Sequence, residues 1–461
     1  MNMQAPVTEA LAEFIATMTP ARLPQPVREY ARRIIFDGIG TLASATHPAV
    51  TASAGMGRFA EAHGGGGPAT LVGRGRTVDV VSAVFANGTL GYASDFEPHH
   101  PEAILHPVAV MVPTSLALAQ MCGRSGLDMS TAVVVGCEVT YRVSMALNPR
   151  ELYDLGFHPS AIAGTFGACA AAALLLKLDK EQCVRALGLA ALQTSGLLAW
   201  QDDPREDARP FQMGMAARNG VTAALLARQG FGAPSRIFDG GHTVLKAYSR
   251  VASTEPLTSG LGEVWDGLME LAVKPYPCVS FLHPALDALE ALLDREALVS
   301  GQIAGIDLRF PNAGAHCVDD NPLKGHCAQY ILPIRAAIGR LSYLDLFIDR
   351  REQEAEVARL AAATTVTRDF GEFDAAFPNF YIGEVSLRLK DGSLLKERRD
   401  VARGYPEVPL SDEEIRLKFD SVVSEVASEG RRLALADAAW RLDESPSVSL
   451  LAGLLQHEAE L

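Results

Sequence analysis

The sequence predicts a mainly α protein. A large all-helical domain, made of the N-terminal part plus the C-terminal helices, carries a smaller inserted α+β lid domain. Three observations carry this prediction. Apolar residues recur at helical spacing through most of the first 268 positions. From Ile303 the period becomes alternation, as in Ile-Ala-Gly-Ile-Asp-Leu-Arg-Phe. At Ser411 the helical period returns behind Ser-Asp-Glu-Glu, a capping hydroxyl followed by an acidic first turn. The expected boundaries are 1–268 for the helical domain, 269–408 for the lid and 409–461 for the returning helices. A chain of 461 residues exceeds what one core ordinarily organises.

The elements follow in order. Thr8 to Met18 reads as a short amphipathic helix. Beyond Pro24 and Pro26, a stripe of Val27, Tyr30, Ala31, Ile34, Ile35 and Ile39 marks the next one. Gly64 to Gly67 is a loop. It lacks the Gly-Lys-Ser/Thr of a phosphate loop, since Pro68-Ala69-Thr70 follows. Val80 to Gly91 is helical, as are Pro107 to Met121, Ser130 to Ala146, Pro159 to Leu176 and Lys180 to Ser195. They are mostly rich in Ala, Val and Leu with some Gly, which suits close helix packing. A polar loop, Gln201 to Arg209, precedes a helix from Met213 to Gln229, which Gly230 stops. Past Leu268 come strands at Ile303 to Phe310, Thr364 to Arg368 and Tyr381 to Lys390. Asp391-Gly392 turns the last of these into Leu394 to Val401, and His326 to Gly339 is a helix between strands.

Composition narrows the function. A net charge of −14 argues against nucleic acid and anionic membrane surfaces as partners. It does not argue against a small anionic substrate, because a few local cations dominate a cleft. The seven cysteines are scattered without a CxxC pair, which disfavours zinc ribbons and iron–sulfur clusters and fits reduced thiols in a cytoplasmic protein. Met1 to Met18 lacks the basic start and apolar core of a signal peptide. Ala161 to Leu176 comes nearest to a membrane span, but it is short and reads as a buried helix.

The chemistry concentrates between Ala93 and Pro107. Asp95, Glu97, His99, His100, Glu102 and His106 form a titratable island flanked by apolar segments. Such groups are expensive there unless paired or used. His106-Pro107, His158-Pro159 and His283-Pro284 each place a histidine before an expected helix start. A helix N-terminus disfavours imidazolium and attracts anions, so these histidines are expected to be neutral. The bland alternative is a capped or buried histidine in a turn. Lys274 precedes a rigid Pro-Tyr-Pro corner. Arg209 precedes Pro210, either as a carboxylate fork or as a surface arginine paired with Glu206 or Asp207. The spacing of Asp95, His99, His100 and His106 fits neither His-Glu-x-x-His nor an EF-hand, and no Gly-x-Ser-x-Gly elbow appears.

Several stretches resemble the MmgE/PrpD family: Asp95-Phe96 through His106-Pro107, Gly156-Phe157-His158-Pro159, Gly164-Thr165-Phe166-Gly167-Ala168, Gly214 to Gly220, and Lys274-Pro275-Tyr276-Pro277-Cys278 with His283. The family includes 2-methylcitrate dehydratase, cis-aconitate decarboxylase and iminodisuccinate epimerase. The resemblance implies a helical domain plus lid, a homodimer, an active site between the domains, and no metal or organic cofactor. By motif, Asp95, His106, His158 and Lys274 take catalytic positions, and His99, Arg209, Tyr276, His283 and His316 contact substrate. Asp95 is expected to orient or charge one histidine. Departures are concentrated: Asp-Phe-Glu-Pro-His stands for Asp-Phe-Asp-Asp-Thr, Arg209 for a lysine and Gln212 for a histidine. His316 or Cys317 stands nearest a tyrosine found in the decarboxylases. The implied substrate is a small anionic di- or tricarboxylate. Dehydration is the leading expectation, with epimerisation or decarboxylation as alternatives; a non-catalytic helical binding protein is the rival outside enzymes.

Overall fold

The computed structural model describes residues 6–202, 207–377 and 380–459. The chain divides into two compact units. Residues 1–93 and 97–272 join 412–461 in one, and 94–96 join 273–411 in the other. The backbone accounts for the border at 272/273. Ala272 exchanges both backbone hydrogen bonds with His99, whereas Val273 donates to the Gly404 carbonyl.

Among the described residues, the strands of the first unit are a small hairpin, β1 (Ala69–Leu71) and β2 (Arg76–Val78), and its other regular elements are helices. Its helix starts are written locally. Asp79 accepts from the Val81 and Ser82 N–H groups to cap Val80–Leu90. Ser125 and Asp128 form a reciprocal capping box that starts a helix at Gly126, earlier than the expected Ser130, and carries it to Leu147. Asp179 and Gln182 do the same for Lys180–Ala191. That helix stops short of the expected Ser195.

Pro159–Leu176 is the centre of this unit. It is long and apolar enough to cross a membrane, yet 94% of it is buried inside the protein. Glycines set its approach to neighbouring helices. A Cβ on Gly167 would fall 1.9 Å from Thr140 Oγ1 and 2.5 Å from the Gly136 carbonyl oxygen. One on Gly220, in Ala208–Arg228, would fall 2.5 Å from the Thr165 carbonyl oxygen. Gly167→Ala is therefore expected to destabilise by about 1–3 kcal/mol through overpacking, read as a lower urea midpoint at unchanged slope.

The C-terminal helices pack back onto this unit. Phe419, in Asp412–Val423, stacks on Phe36 of Gln25–Ser44 with ring centroids 4.3 Å apart. Lys418 Nζ lies 2.8 Å from Asp37 Oδ2, with both side chains buried.

The second unit is built on four strands: β3 (Ile303–Pro311), β4 (Thr364–Asp369), β5 (Gly383–Leu389) and β6 (Leu394–Arg399). Their order is β4-β3-β5-β6. β3 and β4 are parallel, and the other pairs antiparallel. The parallel pair needs a crossover, which includes the helices Ala328–Ile338 and Ala355–Ala362. The expected helix His326–Gly339 is thus slightly shorter. Asp391-Gly392 makes the β5–β6 turn, with Gly392 at φ +93°. Ile306, Leu308, Phe310, Val385 and Leu387 from the sheet and Leu286, Leu289 and Leu292 from the helix His283–Arg295 share one core.

Two expectations are corrected. The helix expected from Met213 begins at Ala208, because Pro210 sits in its first turn, where a missing N–H is harmless. Arg209 is therefore helical. His283 does not precede its helix; at φ −61°, ψ −44° it is the first helical residue, and Leu282 is the N-cap.

Candidate active site

In the helical unit, His106 and His158 are the N-cap residues of Pro107–Cys122 and Pro159–Leu176. Neither side chain caps its helix. Proline at the first helical position removes one orphan N–H in each case, so both rings are directed to other partners.

The island holds its shape through its backbone. His100 and Leu105 exchange both backbone hydrogen bonds, and Ala103 N–H donates to His100 Nδ1 at 3.2 Å. Ile104 sits at φ +52°, a region β-branched residues rarely occupy. His100 stacks on Tyr141 at 4.8 Å, and burial lowers its pKa to about 4. It is a packing residue.

Glu97 and His106 form the first reactive pair. Glu97 is fully buried, and its Oε1 lies 2.6 Å from His106 Nδ1. The carboxylate accepts, so Nδ1 carries hydrogen and Nε2 is the reactive nitrogen. Glu97 Oε2 has no hydrogen-bond partner among the described residues. Glu97 is the carboxylate hydrogen-bonded to His106, a role the sequence did not assign to it. The His99 ring stacks 5.9 Å from that of His106.

His158 Nδ1 lies 2.9 Å from Gln212 Oε1, and Gln212 Nε2 donates to the Leu197 carbonyl at 2.6 Å. Burial lowers its pKa to about 3; the Gln212 hydrogen bond opposes this, and nearby His106 and Arg209 add to it. His158 is thus neutral at neutral pH, as its position before a helix predicts.

Arg209 is 3% exposed, which removes the surface-arginine alternative; of its two suggested partners, Glu206 lies outside the described residues. Its Cζ lies 4.6 Å from the Tyr92 ring centroid and 5.9 Å from that of Trp200. A cation in a first helical turn is opposed by the helix dipole; the aromatic faces offset this by about 0.5–2 kcal/mol. Tyr92 is the hub of the cluster. His106 packs on it at 4.7 Å and His158 at 6.1 Å, and Trp200 lies 5.8 Å from His158. Nothing in the sequence singles out Tyr92 or Trp200 for the site.

The α+β unit holds a second buried pair. Lys274 Nζ donates to Asp95 Oδ1 at 2.7 Å and to the Asp95 carbonyl at 3.0 Å. Asp95 adopts φ +50°, a left-handed conformation tolerated best by Asp and Asn after glycine. Tyr276 does not present a free hydroxyl to substrate. It donates to Asp287 at 2.8 Å and accepts from Arg403 at 2.9 Å. His283 is fully buried, with Nε2 3.2 Å from the Cys278 carbonyl. These two residues belong to this unit's internal framework. His316 is exposed, 3.3 Å from Cys317 Sγ.

Partnered histidines packed around a buried guanidinium define an acid–base site suited to an anionic substrate. Comparison with known proteins gives it a family. Residues 9–256 match the MmgE/PrpD N-terminal domain, and residues 276–442 the MmgE/PrpD C-terminal domain. The chain belongs to the MmgE/PrpD family and is a lyase. It is 28% identical to the cis-aconitate decarboxylase-like protein oryM of Aspergillus oryzae, over 98% of each chain. It is 26% identical to cis-aconitate decarboxylase of Aspergillus terreus, over 98% of this chain and 96% of the relative. The same identity holds for cis-aconitate decarboxylase of Mus musculus, over 98% and 93%.

Proposed function

We propose that this lyase decarboxylates a small unsaturated polycarboxylate of the cis-aconitate type, without a cofactor. The similarity to cis-aconitate decarboxylases along almost the whole chain carries this reading over the dehydration first expected. In such a reaction the bond from carbon to a carboxylate breaks, and carbon dioxide leaves. The electron pair spreads over the carbon skeleton onto a remaining carboxylate, and one proton returns to carbon. The buried Arg209 guanidinium suits a carboxylate that stays bound, because its planar fork matches two oxygens. It also stabilises the charge that develops. His106 and His158 suit the proton movement. A homodimer, by family resemblance, and a cytoplasmic location, from the scattered cysteines, remain part of the proposal.

One observation favours a second reading. His158 is neutral and buried beside Arg209, which suits abstraction of a proton from a substrate. Reactions that open that way are dehydration of a hydroxy-polycarboxylate and epimerisation of a dicarboxylate. The test is proton NMR in deuterated buffer with cis-aconitate, 2-methylcitrate and iminodisuccinate. Decarboxylation predicts carbon dioxide release and one deuterium in the product. Loss of water alone, or exchange at a stereocentre alone, overturns it in favour of the second reading.

A further inference from the structure

Two histidines in one cluster meet two different partners at the same ring atom. His106 Nδ1 faces a carboxylate oxygen of Glu97 at 2.6 Å, and His158 Nδ1 faces an amide oxygen of Gln212 at 2.9 Å. Nearly isosteric side chains, one charged and one neutral, therefore hold the two rings. Glu97 and Gln212 both stand where the chain departs from the family pattern it resembles.

The Gln212 amide is oriented independently of the histidine. Its Nε2 donates to the Leu197 carbonyl at 2.6 Å, so Oε1 is the atom turned to His158. An amide oxygen only accepts, so His158 Nδ1 must carry hydrogen. In a neutral ring the lone pair is then on Nε2. At His106 the partner is an anion, which can balance a positive ring where a neutral amide cannot. The second oxygen of that carboxylate is fully buried and has no hydrogen-bond partner among the described residues, which concentrates its charge on the ring contact.

We infer that Glu97 and Gln212 are positioning residues that divide the work, making His106 the proton donor and His158 the acceptor. This rests on the acid–base lyase reading and deepens it. In decarboxylation, His106 gives its Nε2 proton to the carbon left with the electron pair. It becomes neutral, keeps hydrogen on Nδ1 toward Glu97, and is recharged from water. In a reaction opening with abstraction, His158 Nε2 takes the substrate proton and becomes imidazolium, with Nδ1–H still on Gln212. Opposite environments for two titratable groups are a recurring way to separate acid from base.

The experiment reads the rings directly and does not depend on substrate. Histidine is labelled with 15N in the full chain, and His106→Gln and His158→Gln identify the two sets of resonances. At neutral pH, His158 is expected as the neutral Nδ1–H form and His106 with both nitrogens protonated. Gln212→Glu is expected to convert His158 to imidazolium, and Glu97→Gln to make His106 neutral. Both replacements keep shape, and the unsubstituted protein alone decides the first two points if a variant fails to fold. An Nε2–H or charged His158 in the unsubstituted protein overturns the inference. So does a neutral His106, or a His158 unmoved in folded Gln212→Glu. Turnover by the same samples is scored separately. Correct ring states without decarboxylation would overturn the reaction reading and leave the inference standing.

Discussion

Lys274→Met is expected to destabilise the protein by about 3–5 kcal/mol, the usual result of removing one partner from a buried ion pair. The Lys274 side chain is 2% exposed and that of Asp95 6%. Without the ammonium, the Asp95 carboxylate loses its 2.7 Å partner while remaining out of water. Asp95→Asn is expected to cost a similar amount, because it strands the ammonium. Asparagine tolerates the left-handed backbone at this position, so the loss measures charge and not strain. The double variant Lys274→Met/Asp95→Asn leaves no isolated buried charge. It should be much less unstable than the sum of the single variants, with an interaction energy in the 0.5–3 kcal/mol range or above. Urea unfolding of all four proteins at equal slope provides the measurement. Additive single effects would show that the pair is not coupled. The pairing also revises the expected role of Lys274. Its positive charge is offset within its own unit, so its attraction for a substrate carboxylate is weaker than that of an isolated lysine.

The fold class was legible because period is a strong signal. The helical stripe of Val27 to Ile39 and the alternation at Ile303 to Phe310 each follow from one buried face. Helix ends were less legible. Ser125-x-x-Asp128 is a capping box that starts its helix ahead of the expected Ser130, and Pro210 lies in a first turn, which accepts proline, so the helix includes Arg209, expected in a loop. In the site, His106 and His158 were legible because His-Pro marks a helix start. Their partners were not. Glu97 lies two residues from Asp95, and spacing alone cannot say which carboxylate reaches His106. Gln212 reaches His158 across 54 positions of chain. Tyr92 meets Arg209 only because segments far apart in sequence pack together. Tyr276 shows the converse. Its motif pointed to substrate, but Asp287 and Arg403 occupy its hydroxyl. A motif fixes where a residue stands along the chain and not which neighbour claims it.

The stability of the protein is expected to fall steeply in acid, and His158→Asn to remove part of that fall. The ordinary histidine value is 6.5, and burial holds folded His158 near 3. Between those values the unfolded chain binds a proton that the folded chain refuses. Unfolding therefore takes up a proton, and acidification favours it. His158 thus costs nothing above about 6.5, and its penalty grows as pH drops from there toward 3. At full extent it is on the order of 4–5 kcal/mol. The groups acting on the ring set this sign. Burial dominates, His106 and Arg209 add positive charge, and Gln212 opposes them with a neutral oxygen that cannot balance an imidazolium. His100, lowered to about 4 by burial, adds a penalty of the same sign, so the substitution flattens the acid limb without abolishing it. Asparagine is the informative replacement, because its amide N–H can still donate to Gln212 Oε1 while carrying no titratable group. Urea midpoints of the variant should fall less between neutral and acid pH than those of the unsubstituted protein. Parallel curves would mean that burial does not lower the His158 pKa in the folded protein, and would remove this proton linkage.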